Sequence, residues 1–176
     1  MNRIIELLEQ DRERFSILNI VSSLQLPDCL VAAGFVRNMV WDSIYNKSTP
    51  LNDIDVVFYE KQDTDNLKQK QVKDYLKNEY PSWDWEVKNQ AFMHIKNGDQ
   101  PYISTLDAMS YWPEKETAIG ASLDSQGKVS VVSVFGIESL LTGKVSYNPK
   151  RSKDIFQNRI HRKAWLKHWP NLQIII

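Results

Sequence analysis

The chain has 176 residues, 22 basic and 22 acidic side chains in balance, and one cysteine, so it is long enough for one domain with a substantial core. Zero formal charge excludes a protein that coats polyanions through a uniform positive field. Lone Cys29 excludes an intrachain disulfide and a cysteine zinc cluster, and six Trp and seven Tyr without a low-complexity tract exclude global disorder.

Ile4, Leu8, Phe15, Leu18 and Val21 recur at helical steps and predict one amphipathic N-terminal helix within residues 1–26, ending before Pro27. Charged residues interrupt this stretch, so it is no secretory h-region, and no apolar run is long enough for a bilayer. A cytoplasmic protein without membrane partners is expected. Cys29 to Ala32 reads as a first strand, and Val36 to Tyr45 as a helix after Gly34. A polar loop over Asn46 to Asn52 precedes a strand from Ile54 to Tyr59. Asn66 to Tyr80 predicts an exposed helix crossing between strands, ended by Pro81. Trp83 to Lys88 alternates apolar and charged residues, the pattern of another strand with an acidic face.

Thr105 to Trp112 predicts a short helix, Ala118 to Leu123 and Lys128 to Val134 a hairpin, and Ile137 to Leu141 a short apolar turn or helix. Ser152 is placed to cap a last helix, basic over residues 152–170, with Ile155, Phe156, Ile160, Ala164 and Trp165 on its apolar side. From Lys144 to His168 eight Lys and Arg side chains face one acid, Asp154, so this segment either meets phosphate or forms a solvated face. The tryptophans read as core packing more than as base-stacking platforms.

The chemistry concentrates in two stretches, Gly34 to Asn38 and Asp53 to Asp55. Side chains alternate along a strand, so Asp53 and Asp55 point the same way and can grip a divalent metal. Gly34 before a helix bearing Arg37 and Asn38 supplies phosphate-binding groups, because helix N-termini and guanidinium groups both favour anions. Phosphoryl and nucleotidyl transfer rely mainly on positioning and charge neutralisation, which two divalent ions about 3.5 to 4 Å apart provide. Glu86 is the choice for third ligand or base, with Asp84 its same-face competitor, and hard oxygen donors favour Mg²⁺. His94, His161 and His168 are too scattered for an imidazole metal site, and no Gly-x-Ser-x-Gly or P-loop pattern occurs.

Ala33-Gly34-Phe35-Val36-Arg37-Asn38 followed by Asn52-Asp53-Ile54-Asp55 resembles the nucleotide-binding head of the polymerase-β nucleotidyltransferase superfamily, closest to tRNA CCA-adding enzymes and poly(A) polymerases. Trp85 to Ala91, Met93-His94, Phe135-Gly136, Asn148-Pro149 and Trp169-Pro170 extend the likeness to a family of small bacterial nucleotidyltransferases. The resemblance implies an α/β (α+β) fold, a single domain over 1–176 with a mixed, mostly antiparallel sheet flanked by helices. It implies a metal-dependent enzyme moving a nucleoside monophosphate from an NTP, ATP first, to a hydroxyl acceptor, with RNA one candidate, and releasing pyrophosphate. Asp53, Asp55 and Glu86 are the implied metal ligands and catalytic carboxylates for two Mg²⁺ ions, and Gly34, Phe35, Arg37 and Asn38 the nucleotide-binding stretch. Ala33 stands at the pattern's first glycine, Phe35 where Ser is frequent, Asn38 where Asp is usual and Phe92 where Arg is expected. No Glu-Asp-x-x-Arg base-reading element follows, and the chain is too short for the neck, body and tail regions of the CCA-adding enzymes. The competing expectation is a non-catalytic nucleotide- or RNA-binding module on the same fold.

Overall fold

The computed structural model describes residues 1–51 and 53–176. Asn52, which ends the predicted polar loop, lies outside the described residues. The N-terminal segment forms two helices, α1 (Asn2–Gln10) and α2 (Arg12–Ser23), rather than the one predicted. Asp11 breaks the run because it is a better cap than an interior residue: at φ −84° and ψ 97° its carboxylate accepts the Arg14 backbone N–H at 3.0 Å. Ile4, Leu8, Leu18 and Val21 still reach the core, as their spacing predicts, whereas Phe15 is only half-buried against it and Ile17 is buried instead.

Strand β1 (Leu30–Ala32) leads into helix α3 (Gly34–Tyr45), followed by β2 (Asp53–Phe58), crossover helix α4 (Leu67–Glu79) and β3 (Asp84–Asn89). Short helices α5 (Met93–Asn97) and α6 (Thr105–Met109) come next, then the hairpin β4 (Ile119–Leu123) and β5 (Val129–Ser133). Helix α7 (Glu138–Leu141), strand β6 (Lys144–Ser146), helices α8 (Lys153–Lys163) and α9 (Trp165–His168), and strand β7 (Gln173–Ile175) complete the order.

The five-stranded sheet runs β3-β2-β1-β4-β5. Its β2–β3 pair is parallel and the others antiparallel, so the mixed, mostly antiparallel sheet expected from the sequence is present. Period-two alternation divides its faces: Ile54, Val56, Phe58, Trp85 and Val87 join the main core, which also includes Phe35 and Val36 of α3. The opposite face carries Asp53, Asp55 and Glu86 at one end and a smaller cluster, Leu30, Ala32, Val57, Met109 and Ala118, beside them. No described helix is long and apolar enough to cross a membrane.

The C-terminal segment differs from the single helix predicted over 152–170. It breaks at Ala164, where φ is 50°. Ala is an excellent helix former, so local propensity does not explain the break. Packing does: the turn lets Trp165 and Trp169 dock edge-on against buried Trp41, with ring centroids 5.9 and 5.1 Å away. Such aromatic pairs contribute about 0.5–1.5 kcal/mol beyond area burial, enough to outweigh one strained residue. Strands β6 and β7 form a separate parallel pair that the sequence did not reveal.

Candidate active site

The β1–α3 turn, the mouth of β2 and the C-terminal helices enclose one cleft. Gly34, Arg37 and Asn38 line it from α3, Asp53 and Asp55 from β2, and Arg159, Lys163, Trp165, His168 and Trp169 from the C-terminal segment. The two stretches singled out in the sequence therefore meet in space. Phe35 does not line the cleft; its side chain is fully buried in the core. Its carbonyl accepts from buried Arg14 Nε at 2.9 Å, which ties α2 to the first turn of α3.

Asp53 is exposed and Asp55 half-buried on the same strand face. Burial raises the Asp55 carboxyl above its ordinary value; Lys163 and Arg37 oppose that shift, and Asp53 and Glu86 add to it. Lys163 Nζ lies 3.6 Å from Asp53 Oδ2. The pair is thus an anionic centre with cations drawn towards it.

Glu86 stands directly opposite Asp55 in the β2–β3 register, as Asp84 stands opposite Asp53. Its carboxylate is held at the sheet edge by Lys73, whose Nζ donates to Oε1 at 2.8 Å, and Lys88 Nζ lies 3.5 Å from Oε2. The Lys73 hydrogen bond chiefly holds Glu86 below the usual carboxylate range. Oε2 is buried with no hydrogen-bond partner among the described residues beyond the Lys88 ammonium contact. Among the described residues no three His, Cys, Asp or Glu side chains converge as a metal cage, and Glu86 is paired with its lysines. The donor chemistry nevertheless fits a hard divalent ion: two carboxylates on one face and a third opposite in register.

Arg37 is almost fully buried. Its Nη1 donates to Thr117 Oγ1 and its Nη2 to Asn38 Oδ1, both at 2.9 Å, and the guanidinium lies over the rings of Trp41 and Trp165 at 5.0 and 4.6 Å. Burial pushes its pKa down to about 10, so it stays charged at neutral pH. Nε has no partner. Behind it lies a network invisible in the sequence: Thr117 Oγ1 donates to fully buried Glu114 at 3.1 Å, and Arg159 binds the same carboxylate through two contacts at 2.6 and 3.1 Å. Asn38 and Arg37 also border Gly34, where an added Cβ would stand in ordinary contact, 3.4 Å from Asn38 Nδ2 and 3.5 Å from Arg37 Nη2. The glycine keeps that side of the cleft as bare backbone.

Ala33, just before Gly34, adopts φ 57° and ψ −121°, a conformation that favours glycine. His94 is outside the cleft: Nδ1 is 2.9 Å from the Ala91 carbonyl, and its ring packs edge-on to Tyr102. His161 does not line the cleft either, whereas His168 does.

A glycine-headed helix facing an Asp-x-Asp strand across a cation-lined cleft defines a nucleotide-handling α/β fold. A family model described as nucleotidyltransferase matches residues 19–174, and the chain belongs to that family. It is also similar to a protein whose NMR structure is reported to reveal a CCA-adding enzyme head domain. The two share 31% identity and a TM-score of 0.87, covering 99% of this chain and 95% of that one. Comparison with curated proteins gives no match. The protein is a nucleotidyltransferase with the head-domain fold.

Proposed function

We propose that the enzyme transfers a nucleoside monophosphate from an NTP to a hydroxyl acceptor in a metal-dependent reaction. The observation that carries this reading is the Asp53–Asp55 pair on one strand face, sharing its cleft with Gly34, Arg37 and Lys163. In the reaction the acceptor oxygen bonds to the α-phosphorus while the bond from that phosphorus to the β-phosphate oxygen breaks. Pyrophosphate leaves and the hydroxyl proton passes to a carboxylate. Asp53 and Asp55 would hold Mg²⁺, two ions with Glu86 as third ligand, which when bound supplies charge neutralisation at the transferring phosphorus.

The residues of the chain do the positioning. The exposed backbone at Gly34 and the first turn of α3 offer N–H groups to phosphate. Arg37, fixed by Thr117 and the two indole rings, supplies a charge that needs no reorganisation when the anion arrives. Glu86, opposite Asp55 in register, is the alternative site for the departing proton. ATP is the first nucleotide to test and an RNA end the first acceptor, because the similar head domain is described as that of a CCA-adding enzyme. Protein side chains and small molecules follow.

The test is to incubate purified protein with each α-labelled NTP, Mg²⁺ and total cellular RNA or metabolites, and to trace where label becomes covalent. Label in one acceptor fraction, with pyrophosphate released, is expected. Nucleotide binding without covalent label under all of these conditions would replace this reading with a binding module.

A further inference from the structure

We propose that Lys163 is a nucleotide-phosphate ligand delivered by the C-terminal helix, which Asp53 holds in reserve until metal and nucleotide arrive. The inference rests on the reading that Asp53 and Asp55 hold a divalent cation. Among the described residues, three Lys and Arg side chains line the cleft: Arg37, Arg159 and Lys163. Two of them are fixed in place by buried partners. Arg37 is bonded to Thr117 and Asn38 beneath two indole rings, and Arg159 is bound twice to buried Glu114.

Lys163 is different. Its partner is Asp53 at 3.6 Å, and the two side chains are 42% and 52% exposed, so their attraction is weak and exchangeable. The backbone beneath it is nonetheless anchored. Ala164 turns the chain at φ 50° and Trp165 is buried against Arg37, so the end of α8 stays put while the lysine side chain swings. A divalent ion at Asp53 repels the ammonium group, and a triphosphate in the same cleft attracts it. Lys163 therefore competes with metal in the free enzyme and cooperates with nucleotide in the loaded one.

Two titrations on the full chain test this: Mn²⁺ alone, and a non-hydrolysable α,β-methylene ATP analogue at saturating Mn²⁺. Lys163→Ala should bind Mn²⁺ about two- to fivefold more tightly than wild type, the loss of one exposed competing charge pair. It should bind the analogue about tenfold more weakly, with Lys163→Arg restoring that affinity. Lys167→Ala, which removes an exposed lysine outside the cleft, controls for net charge and should change neither. Lys163→Ala matching wild type in either titration, or behaving as Lys167→Ala does, would overturn the proposal for Lys163 alone. A wild type that binds no Mn²⁺, or Mn²⁺ binding that survives in Asp55→Asn, would overturn the metal reading and this inference with it.

Discussion

Asp55 and Glu86 stand opposite each other across the parallel β2–β3 pair, two residues on from Asp53 opposite Asp84. Four carboxylates thus share one sheet face at the end of two adjacent strands. Like charges gathered in this way are costly unless cations sit among them. Here Lys73 and Lys88 attend Glu86, and Lys163 attends Asp53.

Asp55→Asn should stabilise the metal-free protein at pH 7. Burial raises the folded-state pKa of Asp55 above its ordinary value of 3.8, so the folded state binds the proton more tightly than the unfolded chain. Stability from this group therefore falls as pH rises from about 3.8 through the raised value, and the cost is fully present above it. Thermal melts in chelator across that range should show the variant's gain at neutral pH shrinking on acidification. A lower melting temperature for the variant at pH 7 would show that attraction to Lys163 and Arg37 outweighs desolvation.

Arg37→Ala should weaken both fold and nucleotide binding. It removes two hydrogen bonds and two ring contacts from a buried site, so a loss of about 2–3 kcal/mol in stability is expected. Affinity for Mg²⁺-ATP should fall about ten- to a hundredfold, and metal affinity less. Calorimetric titration decides it. Unchanged nucleotide affinity with reduced thermal stability would make Arg37 purely structural.

Much of the site was legible because its signals are local. Period two placed Asp53 with Asp55 and Asp84 with Glu86, and the glycine before Arg37 and Asn38 marked the turn into α3. What stayed hidden depends on distant partners. Nothing near Glu114 announces that Arg159, 45 residues later, neutralises it, and the three-residue strands β6 and β7 exist only as each other's partners. Ala164 lies inside a helical pattern yet turns the chain because Trp165 and Trp169 must reach Trp41. The apolar-side placement of Trp165 was readable; its seat over Arg37 was not.

Glu86→Gln should cut transfer at least about a hundredfold, with Asp84→Asn far milder, since Glu86 stands opposite Asp55 and Asp84 opposite exposed Asp53. Rates under saturating Mg²⁺ check this. The reverse order would move the third carboxylate role to Asp84.

Ala33→Gly should raise stability. The residue holds φ 57° and ψ −121°, a conformation costing roughly 1–3 kcal/mol without glycine, whereas added freedom in the unfolded chain returns about 0.5–1 kcal/mol. A higher denaturation midpoint is expected. A lower one would mean that the alanine methyl, buried in the native state, contributes more packing than its backbone strain costs.

The central claim is that Asp53 and Asp55 together make nucleotidyl transfer possible. Its most direct test measures Mg²⁺-dependent transfer of an α-labelled NTP, with pyrophosphate release, by wild type, Asp53→Asn and Asp55→Asn, alongside circular dichroism of each. Transfer by wild type that chelator abolishes, and that both folded variants lack, is the expected result. Wild-type rates in either variant would contradict the account.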